Sequence, residues 1–229
     1  MKKVMILADS CGLPRSFPEE ARTAYEETYP YALRRHYSDV EFYQLCMGGV
    51  TAPELVGQAV AYFDKWNPDV IIVQVGIDDC RPEPVSNFTR IVLTEFEFLH
   101  RLRAYVFKPV IMKKLIKLWP KHRVSPSKFK RNIKKIQSVF PNAQIFWLEI
   151  FTSESGGYEE HRPGVLKRID QYNGMLKSVL KSGFVPIQQE LNLVKGVNAD
   201  HLHLNRIGHK KIFDILKSRL DQALAERKN

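Results

Sequence analysis

The chain has 229 residues, of which 44% are hydrophobic and 26% charged, and this composition is typical of a globular protein with a substantial core. No apolar run approaches the roughly 20 residues that a membrane-spanning helix needs. The apolar run after Met1–Lys2–Lys3 ends at Ala8, too early for a signal peptide, and we therefore expect a cytoplasmic protein.

The formal net charge of +10 is concentrated in one part of the chain. Thirteen lysines and arginines lie between Arg101 and Lys135, and no carboxylate occurs between Glu97 and Glu149. The rest of the chain has 22 basic residues against 25 acidic ones. The explanation of the positive charge therefore has to be local.

The three cysteines, Cys11, Cys46 and Cys80, each follow an apolar run. An odd number without a secretory signal favours reduced thiols over disulfides. A shared metal site is conceivable, but no Cys-x-x-Cys or His-x-x-x-His spacing supports one. We interpret the cysteines as small buried thiols and expect neither a metal nor a cofactor.

The first third of the chain alternates between strand and helix patterns. Short apolar runs bounded by turn residues are typical of buried parallel strands. The predicted elements are a strand at Val4–Ala8, a helix at Glu19–Tyr37 with a break at Pro30, a strand at Val40–Cys46, a helix around Leu55–Trp66 and a strand at Val70–Val75.

Helices dominate the rest of the chain. The predicted elements are a mostly helical stretch from Phe88 to about Leu118, a helix that Ser127 caps and that ends near Phe140, a strand at Ile145–Glu149, a helix at Val165–Lys181, a short strand at Phe184–Ile187 and a last helix from about Arg206 to Ala225.

This alternation of strand and helix predicts an α/β fold with a parallel sheet covered on both faces, that is, a three-layer α/β/α sandwich with five parallel strands. The link between the third and fourth strands is longer than a simple helical connection needs. We therefore expect a single domain of residues 1–229 with a basic helical insertion at about residues 88–122.

Four polar fragments follow predicted strands or precede the last helix, and open α/β sheets bind ligands at the carboxyl ends of their strands. Taken alone, Asp9 and Ser10 are most simply turn-capping residues, and each other fragment is equally weak. Their joint occurrence favours one site. The fragments are Ala8-Asp9-Ser10, Gly48-Gly49-Val50-Thr51, Gly76-Ile77-Asp78-Asp79 and Asp200-His201-Leu202-His203.

A serine hydrolase needs a hydroxyl nucleophile, a base, a carboxylate that orients the base, and donors for the oxyanion. Ser10, His203 and Asp200 offer the first three. Asp200 and His203 come from one turn, so the carboxylate can hold the imidazole in the required tautomer. His203 can then accept the Ser10 proton and pass it to the leaving group.

These fragments resemble the GDSL/SGNH hydrolase superfamily over nearly the whole chain, from Lys3 to the last helix. The family's first block is Gly-Asp-Ser, and here it reads Ala8–Asp9–Ser10. Its last block, Asp-x-x-His followed by Asn and Gly, matches Asp200, His203, Asn205 and Gly208. Asn173 resembles a common position in the family's penultimate helix.

The resemblance implies a flavodoxin-like sheet, ester hydrolysis through Ser10, and no cofactor. It also implies an oxyanion hole formed by Ser10, Gly49 and the residue at position 78, with Gly49 preferred to Gly48 as the backbone donor. At position 78 the family has asparagine, whereas this chain has Asp78.

An asparagine amide can donate a hydrogen bond to the oxyanion, but an ionised Asp78 cannot donate and would repel it. Three solutions stay open from the sequence. Asp78 is protonated, or a donor such as Asn87 or Arg81 replaces the amide, or the enzyme is weak or inactive.

The insertion also allows several interpretations, because Val110–Trp119 mixes apolar and cationic residues at helical spacing. It forms a helix packed on the core with its lysines in solvent, or a lid that favours anionic substrates. A third interpretation, contact with a negatively charged membrane surface, ranks below these two. We do not expect nucleic-acid binding, since the chain has neither a recognised motif nor an aromatic stacking platform.

The sequence therefore predicts a serine esterase or acyl hydrolase that acts on an ester of a small molecule or a carbohydrate, including anionic ones. An acyltransferase with a sugar acceptor would use the same covalent step. A binding module on the same fold is the alternative if Asp78 disables catalysis. The acyl group and the oligomeric state do not follow from the sequence.

Overall fold

The computed structural model describes residues 1–17, 19–154 and 156–226, without the side chains of Glu20, Asn87 and Glu226. Five parallel strands form the main sheet in the order β2-β1-β3-β6-β7, and β4 and β5 form a separate antiparallel pair. The strands are β1 Lys2–Ala8, β2 Val40–Cys46, β3 Val70–Gln74, β4 Pro82–Glu83, β5 Lys121–His122, β6 Gln144–Leu148 and β7 Phe184–Val185. The predicted α/β fold with a five-stranded parallel sheet is confirmed.

The helices in the described residues lie on both faces of this sheet and in the segment between β3 and β6. They are α1 Tyr29–His36, α2 Ala52–Phe63, α3 Ile77–Cys80, α4 Asn87–Glu95, α5 His100–Val106, α6 Pro109–Leu118, α7 Pro126–Val139, α8 Gly157–His161, α9 Val165–Leu180, α10 Gln188–Leu193 and α11 Arg206–Glu226. None of them is long and apolar enough to cross a bilayer.

The two layers of helices follow from the alternation of side chains along the strands. Met5 and Leu7 of β1 face one core, into which α2, α7 and α9 place Leu55, Ile133 and Leu176. On the opposite face, Val4 and Ile6 pack with residues of α1 and α11, including Leu33, Ile212 and Leu216. Both faces of the sheet are therefore buried, which explains why the strands read as continuous apolar runs.

The strand order places a crevice where β1 and β3 meet. The chain runs from β1 to β2 on one side and then crosses to β3 on the other side, so the direction of winding reverses between β1 and β3. Such a switch point is where open α/β sheets bind ligands. Asp9 and Gly76 leave the sheet here, and the Asp9 N–H donates to the Gln74 carbonyl over 2.8 Å.

The structure corrects two predicted helices. The predicted helix Glu19–Tyr37 begins only at Tyr29, and Pro30 lies in its first turn instead of breaking it, because a first-turn residue needs no N–H donor. The helix α7 is capped by Ser125, whose hydroxyl accepts the Lys128 N–H, and not by Ser127.

The predicted helical stretch from Phe88 to Leu118 consists of three short helices, α4, α5 and α6. They lie between the third and fourth strands of the main sheet, in the segment that we call the insertion. The antiparallel pair of β4 and β5 closes the base of the insertion, and in this pair Glu83 lies opposite Lys121. Arg123 directly follows this strand pair, where the chain returns to the switch point.

Candidate active site

Ser10 lies in the tight turn Ser10–Gly12 that follows β1. The Asp9 carboxylate caps this turn by accepting the Cys11 N–H over 2.9 Å. Burial raises the pKa of Asp9 to about 7. The hydrogen bond from the Cys11 N–H opposes this increase in pKa, and the nearby charge of Asp78 adds a smaller contribution to it. Capping is thus the function of Asp9 here, while the Ser10 side chain is available for another partner.

Asp200 and His203 lie in the loop before α11, and this loop is closed by its own hydrogen bonds. The Asn198 N–H donates to the His203 carbonyl over 2.7 Å, and the Asn205 N–H donates to the Gly196 carbonyl over 3.0 Å. A Cβ on Gly208 would lie 2.0 Å from the Gly196 oxygen, so only glycine permits α11 to begin this close to the loop.

The structure brings the three predicted side chains together at the switch point. The Ser10 hydroxyl oxygen lies 2.8 Å from His203 Nε2, and His203 Nδ1 lies 2.8 Å from Asp200 Oδ2. Since an ionised carboxylate can only accept, the Nδ1 proton is donated to Asp200 and Nε2 is left to accept from Ser10. Residues 193 positions apart thus form one hydrogen-bonded chain.

Asp200 is held as a carboxylate by four donors. Its own burial would raise its pKa, but the His203 side chain and the N–H groups of His203 and Leu202 lower it well below the usual range. Arg15 Nη1 lies 3.0 Å from Asp200 Oδ2. Arg15 was not among the predicted site residues, because nothing in the sequence distinguishes it from other loop arginines.

Gly49 lies in the turn between β2 and α2 and has a φ of +67°, which favours glycine. Two sets of hydrogen bonds fix the N-terminus of α2, which follows this turn. The Thr51 N–H donates to Glu54 Oε2 over 2.8 Å, and the Ala52 N–H donates to both oxygens of Asp79, over 3.1 and 3.0 Å. Asp79 is therefore an anchor for this turn.

Asp78 is the second residue of the short helix α3 and is paired with two arginines. Arg81 Nη2 and Arg123 Nη1 each lie 3.1 Å from Asp78 Oδ1. The side chains of Arg123 and Asp78 are 8% and 6% exposed. Arg123 Nη1 also donates to the Gly49 carbonyl over 2.8 Å, so one guanidinium joins position 78 to the glycine turn.

The remaining residues that carry the family resemblance form hydrogen bonds or ion pairs within the protein. The Asn173 amide pairs with the N–H and the carbonyl of Ile150, each over 2.9 Å, and Asn205 Oδ1 accepts the Gly208 N–H over 2.9 Å. Arg81 also pairs with Glu83. The side chain of Asn87 lies outside the described residues.

The three cysteines lie in the Ser10–Gly12 turn, at the end of β2 and at the end of α3. Cys11 and Cys80 are buried, Cys46 is partly buried, and all three are free thiols. Among the described residues no group of histidine, cysteine or acidic side chains has a geometry that could hold a metal ion.

Comparisons with known proteins give matches at the level of three-dimensional structure. No protein-family model matches the chain, and no curated protein matches its sequence. The psychrotrophic esterase EstA from Pseudoalteromonas, a structure inhibited by monoethylphosphonate, is similar with a TM-score of 0.56 and 15% identity over 98% of this chain and 100% of that one.

Two further structures support the same assignment of the fold. A GDSL-like lipase from Bacteroides thetaiotaomicron is similar with a TM-score of 0.62 and 10% identity over 97% of this chain and 89% of that one. A carbohydrate acetylesterase family member from Sinorhizobium meliloti is similar with a TM-score of 0.60 and 14% identity over 98% of this chain and 100% of that one. The chain therefore has the fold of the GDSL/SGNH esterases and lipases.

Proposed function

We propose that this protein is a serine esterase that removes acyl groups from small-molecule or carbohydrate esters. The observation that carries the proposal is the hydrogen-bonded chain from Ser10 through His203 to Asp200, with 2.8 Å at each step. The nucleophile and the orienting carboxylate are thus each within hydrogen-bond distance of the base that lies between them.

In the first half of the reaction, Ser10 Oγ attacks the ester carbonyl carbon while its proton moves to His203 Nε2. Asp200 stabilises the imidazolium that forms. The tetrahedral intermediate collapses when His203 returns the proton to the leaving alcohol oxygen, which leaves an acyl group on Ser10. In the second half, His203 takes a proton from water while the water oxygen attacks the acyl carbon. The second tetrahedral intermediate collapses when His203 returns this proton to Ser10 Oγ, which releases the acid and restores the Ser10 hydroxyl.

The oxyanion is stabilised in this proposal by the backbone N–H groups of Ser10 and Gly49. Asp78 contributes to the hole without donating, because its carboxylate holds the Arg123 guanidinium that binds the Gly49 carbonyl. The two arginines also offset the negative charge of Asp78, which weakens its repulsion of the oxyanion. Positioning through Arg123 thus takes the place of the missing amide donor.

Hydrolysis of a short aryl ester tests the proposal. The wild-type protein should release the aryl alcohol, and Ser10→Ala should reduce turnover by about 10⁶-fold. The control is Ser138→Ala, which makes the same chemical change at an exposed serine of α7 and should leave turnover unchanged. Wild-type turnover no faster than that of Ser10→Ala would refute the proposal and favour a binding module.

The substrate class is tested by acetate release from acetylated sugars, since a carbohydrate acetylesterase is among the similar structures. We expect acetylated sugars to be cleaved with a higher kcat/KM than long-chain esters. Product analysis with a sugar acceptor present separates hydrolysis from acyl transfer, because transfer yields a new acylated sugar in place of free acid.

A further inference from the structure

The insertion carries an unusual share of the exposed apolar surface. Sixteen large hydrophobic side chains are exposed among the described residues, and nine of them lie between Phe88 and Trp119. The most exposed are Leu118 at 83%, Phe98 at 80%, Phe88 at 77% and Trp119 at 72%. Exposed apolar groups that cluster in this way mark interaction surfaces.

The helices of the insertion pack only in part on the rest of the protein. The helix α6 buries Ile116, as expected for a helix packed on the core. The helix α5, in contrast, has no buried residue. Ile116 of α6 and Leu93 of α4 are buried, whereas Ile91 of α4 and Leu102 and Tyr105 of α5 remain exposed.

The outward stripe of α6 combines apolar and cationic side chains. Val110, Lys114, Lys117 and Leu118 follow one another at helical spacing, and all four are exposed. Within the described residues Lys114 and Lys117 have no carboxylate partner, and none is available nearby in the sequence. Residues 88–122 contain eight lysines and arginines against two glutamates.

We propose that the insertion is a docking surface for the face of an anionic lipid bilayer. Apolar and aromatic side chains would enter the boundary between headgroups and acyl chains, and the lysines would contact anionic headgroups. A nucleic acid would use the cations but not the aliphatic side chains of Val110 and Leu118. The charge and the exposed apolar residues together therefore favour lipid.

The docking surface is connected to the candidate site through the chain. The docking proposal does not require that this site hydrolyses esters. The insertion ends in β5, and Arg123 directly after β5 contacts Asp78. Docking would therefore place the switch point beside the bilayer, where esters of membrane-associated molecules are accessible.

Trp119 provides a direct probe. Of the three tryptophans, Trp147 is buried and Trp66 is partly buried, whereas Trp119 is 72% exposed. The experiment adds vesicles of phosphatidylcholine alone, or of phosphatidylcholine mixed with phosphatidylglycerol, to the full-length protein. It records tryptophan emission and co-sedimentation. We expect a blue shift and sedimentation with the anionic vesicles only, weakened by salt, and no blue shift in Trp119→Phe.

Two pairs of variants separate the apolar and the electrostatic contributions. Phe98→Ser should weaken binding on the order of tenfold, while Phe17→Ser, which alters a phenylalanine of matching exposure (81%), should not. Lys114→Gln with Lys117→Gln should weaken binding on the order of tenfold, while Lys65→Gln with Lys167→Gln should not. Far-UV circular dichroism confirms that each variant is folded.

Three outcomes would overturn the proposal. The first is absence of binding to anionic vesicles, or equal binding to vesicles of phosphatidylcholine alone. The second is binding that heparin abolishes and Phe98→Ser does not change, which indicates a polyanion site. The third is a blue shift of Trp119 that depends on protein concentration without vesicles, which indicates a second copy of the chain.

Discussion

The two sides of the candidate site are built in different ways. On the acid–base side, Ser10 and His203 come from loops that follow or precede core elements, and their partners match a known family pattern. On the oxyanion side, Asp78 departs from that pattern, and its charge is compensated by Arg81 and Arg123. Arg123 belongs to the segment that returns from the insertion.

At position 78, where the family resemblance implies asparagine, neighbouring residues accommodate the aspartate of this chain. Replacing an amide by a carboxylate in a buried position introduces a charge that needs partners. Arg123 supplies one and at the same time binds the Gly49 carbonyl. The acid–base side should therefore behave as it does in serine hydrolases, whereas the oxyanion side should respond to mutation in a way particular to this chain.

The largest effects are expected on the acid–base side. Asp200→Asn should reduce kcat by about 10⁴-fold, because the amide favours the wrong imidazole tautomer. The control Asp214→Asn removes the carboxylate that pairs with Lys210 on the surface and should leave kcat unchanged. Steady-state hydrolysis of an aryl ester measures both, and an Asp200→Asn variant of normal activity would break the comparison.

On the oxyanion side, Arg123→Met should reduce turnover by about 10²-fold, because the Gly49 turn loses its anchor. It should also destabilise the fold by roughly 3 kcal/mol, the lower end for a broken buried ion pair, since Arg81 still contacts Asp78. Arg131→Met, at an exposed position of α7, is the control. Urea denaturation and kinetics measure the two effects, and neither should be detectable in the control.

Asp78→Asn should change activity in the opposite direction, with an increase in turnover of about tenfold. The amide supplies a donor for the oxyanion, and the gain is limited because both arginines lose an ionic partner. The matched control Asp79→Asn should give no gain, because the side chain at position 79 accepts the Ala52 N–H, which an amide oxygen can also accept. A loss of turnover in Asp78→Asn would show that the carboxylate itself is required.

The smallest effect on turnover is expected for Asp9→Asn. This variant is informative because it should change the free energy of unfolding. The pKa of Asp9 is raised to about 7, so ionising it in the folded protein costs free energy. The folded protein is therefore favoured at low pH, and its free energy of unfolding decreases as the pH rises from about 4 to 7. Asp9→Asn should increase the free energy of unfolding by about 2–4 kcal/mol at pH 8 and by much less at pH 4. Equal changes at both pH values, measured by chemical denaturation, would contradict this.

Much of the fold could be predicted because short apolar runs bounded by turn residues alternate regularly with helical patterns. Val40–Cys46 is found with the predicted bounds, and β1 and β3 differ from prediction by a few residues. The proximity of Ser10, Asp200 and His203 could be expected because parallel strands bring their carboxyl ends to one edge. The family pattern added the positions of Gly49 and Asp78.

The contacts of charged side chains could not be predicted in the same way. Arg123 is one of thirteen cations in its region, and no local pattern distinguishes it from the other twelve. Its role depends on the β4–β5 pair, whose two-residue strands have no periodicity to detect. Similarly, the exposure of Phe98 depends on how three short helices pack, which alternating apolar and basic residues do not determine.

Covalent labelling of Ser10 tests the central claim most directly. The protein is incubated with a fluorophosphonate, digested and analysed by mass spectrometry. The account predicts an adduct on the peptide that contains Ser10, no adduct in Ser10→Ala, and much slower labelling in His203→Ala. An unmodified wild-type protein, or an adduct confined to another residue, would contradict it.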